Sequence, residues 1–288
     1  MNEKGCNPDQ IIANIKGFEL LKQAVLEGFP RLSAEDTFKF ACHDGLECFN
    51  ACCADVNIVL TPYDVLRMRK RLDMSSTEFC DKYTVTPFTK EMKFPLVILK
   101  LRDDEKKTCP FVSPSGCTIY EDRPWPCRMY PIGLASSNTD GTGEEFYFLL
   151  HEAPCDGFEK GKKWTIAEWM EDQGVGPYNE AGEGFKEITL HPRLLAGMEL
   201  EPAKVEMYHM ACYDQDRFRK FVFESSFLEL YDIDDELKAG IKTDDLELLK
   251  FAYQWLKFCL FGDKVEMIRI NPEVLAAKKA AMSEENGK

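Results

Sequence analysis

Apolar residues recur at helical spacing near both ends of the chain and lose that rhythm in the middle. In residues 11–27 the positions Ile11, Ile12, Ile15, Phe18, Leu21, Val25 and Leu26 form one stripe, closed by Gly28 and Pro30, which predicts a helix. Residues 56–60 read as a short strand. Thr61-Pro62-Tyr63-Asp64 then supplies an N-cap, a proline at N1 and an acid at N3, so a helix is expected over 62–72. Ser75 and Glu78 have the spacing of a capping box and open a helix that carries Cys80. Residues 94–101 and 145–150 are rich in β-formers and are expected to pair with each other. Thr165-Ile166-Ala167-Glu168 caps a further helix, which Gly174 ends, so that Gly174-Val175-Gly176 reads as a helix exit.

Residues 178–184, rich in glycine and acid, read as a loop or soft boundary, and 187–190 as the single short strand between 173 and 206. Beyond them, residues 202–213, 216–231 and 244–261 return to helical spacing, and the aromatic stripe Phe218, Phe221, Phe223 and Phe227 reads as core. The expected fold is α+β and mostly helical. An irregular cysteine-rich metal-binding domain with a small β element occupies 1–172, a helical C-terminal region 185–275, and a frayed tail 276–288.

Chemistry concentrates in the cysteines. Eight of the twelve form two tight groups and a straggler: Cys42, Cys48, Cys52 and Cys53; Cys109, Cys117 and Cys127; and Cys155. A packed core uses cysteine as a small apolar filler and has no need of clusters, whereas a metal or an iron–sulfur cluster does. If the first group is helical, Cys48 and Cys52 lie one turn apart on one face and can grip one metal. Neighbours on a helix diverge, so one of Cys52 and Cys53 serves a second metal or no metal. His43, beside a turn, reads as exposed. Cys155, between Pro154 and Gly157, reads as a loop ligand; Cys6, Cys80, Cys212 and Cys259 read as structural.

In the second group, Pro110, Pro114, Pro124 and Pro126 remove backbone donors and fix φ, which holds a loop open around a bound centre. Arg123 and Arg128 bring positive charge beside the thiols and favour the deprotonated ligand form, which makes them candidate cofactor-binding residues. The competing reading has Arg123 bridged to Glu121 or Asp122 and Arg128 solvated.

Charge and length narrow the class. The 288-residue chain can bury a core without disulfide staples, and its first ten residues show no apolar stretch typical of a secretory signal, so a reducing, cytoplasmic setting is expected. A net charge of −14 disfavours nucleic acid and anionic membranes as partners. The basic run Arg67, Arg69, Lys70 and Arg71 reads as a solvated helix face. No apolar run is long enough to span a bilayer. The P-loop, the zinc-protease H-E-x-x-H, the G-x-S-x-G elbow and C-x3-C-x2-C are all missing, and the four histidines are dispersed, although His151-Glu152 stands close to Cys155.

The run from Cys42 to Cys53, followed by Leu60-Thr61-Pro62-x-Asp64, Cys109-Pro110-Phe111, Gly116-Cys117-x-Ile119-Tyr120-Glu121-x-Arg123-Pro124-x-x-Cys127-Arg128-x-x-Pro131 and Cys155-x-Gly157, resembles the YkgJ-type CxxCxxCC domain. That family is described as zinc- or iron-chelating and is sometimes named an iron–sulfur oxidoreductase. The resemblance covers about residues 40–158, with C-x5-C-x3-C-C in place of the family's C-x2-C-x2-C-C. Related motifs in flagellin lysine methylases are associated with an iron–sulfur cluster. The resemblance therefore implies a metal held by Cys42, Cys48, Cys52, Cys53, Cys109, Cys117, Cys127 and Cys155. Two classes stand: a four-iron iron–sulfur protein that moves electrons or assists modification of a macromolecule, with a protein or redox partner, and a structural zinc domain without catalysis.

Overall fold

The structure, a computed structural model, describes residues 29–87, 94–137, 144–151, 155–274 and 276. The helix expected over 11–27, Cys6 and Glu152 lie outside the described residues, as does the tail from 277 on. The chain is a mostly helical α+β protein with small antiparallel strand pairs. Its described residues divide into two compact units, one within 29–71, 81–87 and 96–180, the other within 72–80, 94–95 and 181–276. Among the described residues, no helix is long and apolar enough to cross a membrane.

The first unit is organised by two ribbons. Strand Thr37–Phe40 pairs with Phe158–Thr165 in register Thr37↔Thr165 to Lys39↔Lys163, then slips so that Phe40 faces Phe158. The extra residues leave the ladder where Glu159 and Gly161 take positive φ, of 60° and 71°. Alternation on the short strand turns Phe38 and Phe40 inward. Both rings meet Trp169 edge-on, at 5.9 and 5.5 Å, in a core completed by Met129, Ile132, Ile166 and Val175. Burying each such large apolar side chain contributes about 1.5–3 kcal/mol. Helix Ile166–Asp172 brings Trp169 there; it starts on the expected capping box, with Thr165 Oγ1 accepting from Glu168 N–H, and Gly174 follows it at φ 64°.

The second ribbon corrects an expectation. Residues 145–150 do not pair with 94–101. Glu144–Leu149 pairs with its neighbour Ile132–Ser137, and Ile98–Leu99 pairs with Thr84–Val85. Pairing a strand with its sequence neighbour closes a short loop at the lower entropic cost. Residues 56–60 contribute only an isolated bridge, Val59 to Ile98, rather than a strand. Helix Pro62–Arg71 forms as expected. Its basic run is only in part a solvated face: Lys70 and Arg71 are exposed, but Arg67 pairs with Asp122 at 2.6 Å and Arg69 is buried.

The second unit is helical. Residues 178–184 and 187–189, expected as loop and strand, belong to one helix, Gly176–Thr189, and Leu190 follows in a turn. Helix Pro202–Tyr213 matches its expected bounds, whereas the segment expected over 216–231 is broken into Gln215–Glu224 and Phe227–Leu230. Helices Asp235–Thr243 and Asp245–Leu256 start on Asp234 and Asp244, whose carboxylates accept from Glu236 N–H and Leu246 N–H. Trp255, with Phe218, Phe221 and Phe227 at 5.2, 5.5 and 5.9 Å, is the centre of this core. Phe218, Phe221 and Phe227 of the aromatic stripe are thus core, as read, and Phe223 is half-buried.

Gly157 is where the first ribbon's geometry leaves least room. A Cβ there would meet Ala41 O at 2.5 Å and the Phe40 ring at 2.7 Å. Gly157→Ala is expected to destabilise the protein by about 1–3 kcal/mol, as overpacking of a tight site does. Thermal unfolding measures this, and an unchanged midpoint would show that Ala41 and Phe40 yield freely.

Candidate metal centre

The first cysteine group is not an α-helix. After Phe40 the chain turns at Asp44-Gly45, where His43 Nδ1 accepts from Gly45 N–H at 3.1 Å and His43 stays exposed, as expected. It passes Cys48 in further turns and makes a single 3₁₀ turn, Ala51–Cys53. Asn50 precedes that turn in the left-handed region at φ 68°, which asparagine tolerates better than most residues. Its Nδ2 donates to Ser113 O at 3.0 Å and ties the turn to the second group.

Backbone hydrogen bonds bring the thiols into two neighbourhoods. Ala41 N–H donates to Gly157 O at 3.1 Å, which sets Cys42 beside the Cys155 loop, and Asp156 N–H points at Cys48 Sγ at 3.2 Å. Cys109 N–H donates to Cys53 O at 2.7 Å, with Ala54 and Thr108 bridged alongside. The hairpin Val112–Ser113 with Gly116–Cys117 places Cys117 across from Val112. Cys127 lies in the short helix Trp125–Met129.

All eight cysteines are free thiols, and Cys42, Cys52 and Cys127 are exposed. Burial, and then the negative charges of Cys52, Cys48 and Cys155, push Cys42 up to about 11. Burial likewise raises Cys109 and Cys117. Cys127 reaches solvent, yet the atoms crowded round its thiol, and then Cys109, Cys52 and Cys117, push it well up. A hydrogen bond between the adjacent thiols lowers Cys52 and raises Cys53.

No three His, Cys, Asp or Glu side chains among the described residues stand close enough to hold a metal ion without adjustment. The donor chemistry nevertheless fits one. Thiols that raise one another's pKa are sites of accumulated negative charge, and a bound cation reverses that repulsion and keeps them deprotonated. His151 stacks on Phe158 at 3.8 Å between ring centres. Cys80, Cys212 and Cys259 belong to the second unit, where Cys80 and Cys212 are buried and Cys259 contacts Tyr231.

Both arginines are buried, and neither bridges Glu121 or Asp122. Arg128 donates to the carbonyls of Arg123, Gln173 and Glu121, and its guanidinium lies 4.5 Å from the Tyr178 ring centre. Its field acts on Asp64. Arg123 donates to Tyr120 O and to Gln173 Oε1, stacks on Tyr120 at 3.7 Å, and is the arginine whose charge is felt with Cys117 and Cys127.

The residue whose role the pattern of cysteines did not reveal is Asp64. As the N3 acid it accepts from Thr61 N–H at 2.7 Å and Thr61 Oγ1 at 2.8 Å through Oδ2, the local cap that its spacing announces. Its other oxygen accepts from Trp125 N–H at 2.7 Å, at the start of the helix that carries Cys127. Fully buried, its carboxyl is raised to about 6 by desolvation, against which the donors from Trp125 and Thr61 act.

Residues 41–156 match the family model described as CxxCxxCC, a putative zinc- or iron-chelating domain. The matched segment contains all eight clustered cysteines, and metal binding by them is what that description supports. No curated protein and no solved structure matches the chain.

Asp64→Ala leaves the N–H of Trp125 and both Thr61 donors without their acceptor, and should cost about 2–4 kcal/mol on denaturant unfolding, roughly one to two lost buried partners. Asp64→Asn keeps one acceptor and should cost less. Because folding raises this carboxyl from 3.8 to about 6, its protonated form favours the folded state below pH 3.8, and that contribution is lost as pH rises through 6. The stability difference between wild type and Asp64→Asn should therefore shrink across that window; a difference that grows would reverse the sign. Cys212→Ala and Cys259→Ala should leave metal content intact, and loss of metal in either would place that thiol in the centre.

Proposed function

We propose that the chain is a cysteine-ligated iron–sulfur protein of the four-iron type that transfers electrons or assists modification of a macromolecular substrate in a reducing, cytoplasmic setting. The position of Arg123 carries the reading. A structural zinc clamp needs thiolates and a fold around them; it has no redox step for a buried guanidinium to tune. Held by Tyr120 O and Gln173 Oε1, Arg123 keeps a fixed positive charge in the field of Cys117 and Cys127. Such a charge stabilises the more negative, reduced form of a centre beside it.

When bound, an iron–sulfur cluster supplies a one-electron couple. The rest is done by the chain's own residues. The eight cysteines supply the thiolates, Asp64 fixes the helix start that carries Cys127, and the exposure of Cys42 and Cys52 leaves one side open to a partner. The net charge of −14 points to a protein or redox partner rather than to nucleic acid or an anionic membrane. Zinc is the alternative occupant, and metal analysis separates the two.

Protein purified without oxygen should be coloured and contain iron. Arg123→Met should keep the iron and shift the midpoint potential to more negative values, with Arg123→Lys restoring most of the shift because it keeps the charge. Arg128→Met, which removes donors to three backbone carbonyls, should lower thermal stability and move the potential less. An unmoved voltammetric wave in Arg123→Met would remove the role assigned to that charge. Colourless, iron-free, zinc-loaded protein would overturn the redox reading.

A further inference from the structure

The hydrogen bonds that gather the cysteines do not gather them at one point. One set of contacts joins the end of strand Thr37–Phe40 to the loop before Phe158–Thr165, through Ala41 to Gly157 and Asp156 to Cys48. These bring together Cys42, Cys48 and Cys155. A second set joins Cys53 to Cys109 and closes the hairpin that ends in Cys117. Cys53, Cys109 and Cys117 stand on this side, and Cys127 follows them in the same cysteine group.

We propose that the eight cysteines build two centres, an outer one on Cys42, Cys48, Cys52 and Cys155 and an inner one on Cys53, Cys109, Cys117 and Cys127, joined through the Cys52–Cys53 peptide. This rests on reading the thiols as metal ligands and not on which metal they hold. Tetrahedral zinc takes four ligands and a four-iron cluster takes four thiolates, so eight thiols exceed the needs of one centre and match those of two.

Cys52 and Cys53 decide the division. They lie together in the 3₁₀ turn Ala51–Cys53, with their thiols hydrogen-bonded to each other, so the pair stands where the two neighbourhoods meet. Cys52 is the exposed member of the pair and Cys53 the half-buried one. Cys53 O is also the atom bonded to Cys109 N–H, so Cys53 completes the inner set of four and Cys52 is left to complete the outer three. The peptide between Cys52 and Cys53 then makes the centres covalent neighbours.

Metal counting on the full chain tests this. The chain is loaded first with zinc and then, without oxygen, with iron and sulfide, and metal per chain is read by mass spectrometry of the native protein and by elemental analysis. The wild type should hold about two zinc ions, or about two four-iron clusters. Cys155→Ser and Cys117→Ser should each halve the content, and the double variant should abolish it. Cobalt in place of zinc gives a second readout, because the thiolate-to-cobalt absorption should halve in each single variant. If Cys117→Ser fails to fold, Cys155→Ser and the wild-type count still decide, since one metal centre in the wild type, or complete loss in Cys155→Ser, would overturn the division. Two zinc ions in a chain that refuses iron would overturn the redox function and leave the two centres standing; a single cluster dependent on all eight cysteines would do the opposite.

Discussion

The thiols of this chain repel one another as they ionise, and the local fold of the first unit supplies the hydrogen bonds that hold them close in spite of it. Burial raises Cys42, Cys109, Cys117 and Cys127, and the charges of neighbouring thiols add to it at Cys42, Cys109 and Cys127. The pairing of Thr37–Phe40 with Phe158–Thr165 brings the distant positions 42 and 155 to one place, and single backbone bonds complete the gathering, Ala41 to Gly157 on one side and Cys109 to Cys53 on the other. The close approach at Gly157, which leaves no room for a Cβ, is a direct consequence. A bound cation converts the repulsion into attraction, which is why metal affinity and folding of such a region are coupled.

Support for the thiols comes from polar groups whose donors or acceptors are committed elsewhere. Arg128 spends its donors on three backbone carbonyls and so fixes the path of the chain from 121 to 128. Asp64 ties the start of one helix to the start of another, Pro62–Arg71 to Trp125–Met129. A buried carboxylate survives there because three donors converge on it, although desolvation still lifts its pKa. Arg123 combines both roles, bracing the chain while its charge faces the thiols. The second unit needs none of this. Its stability comes from an aromatic core around Trp255 and from helices that start on aspartate caps.

Much of this was legible along the chain because it is local. The capping boxes at Ser75–Glu78 and Thr165–Glu168, the N-cap, proline and acid of Thr61 to Asp64, and the helical spacing of Pro202–Tyr213 depend on residues a few positions apart, which is the range that periodicity and capping chemistry report. The clustering of eight cysteines marked a metal-binding region for the same reason. Glycine misled at 178–184, where Gly182 and Gly184 sit inside a helix; Gly184 leaves room for the Tyr253 ring, a packing reason invisible to a turn signal.

What only the tertiary structure decided is everything set by groups far apart in sequence. Strand partners, the engagement of Arg67 with Asp122 across 55 positions, the second helix held by Asp64 and the separation of the thiols into two neighbourhoods all belong here. The residue types alone named the candidate ligands and the candidate positive charges beside them, since a thiol's affinity for soft metals and a guanidinium's permanent charge are properties of the side chain. Which arginine faces the thiols, and which cysteines face each other, follows from backbone hydrogen bonds whose free energy depends on burial and distance, and neither is written in the spacing of one residue from the next.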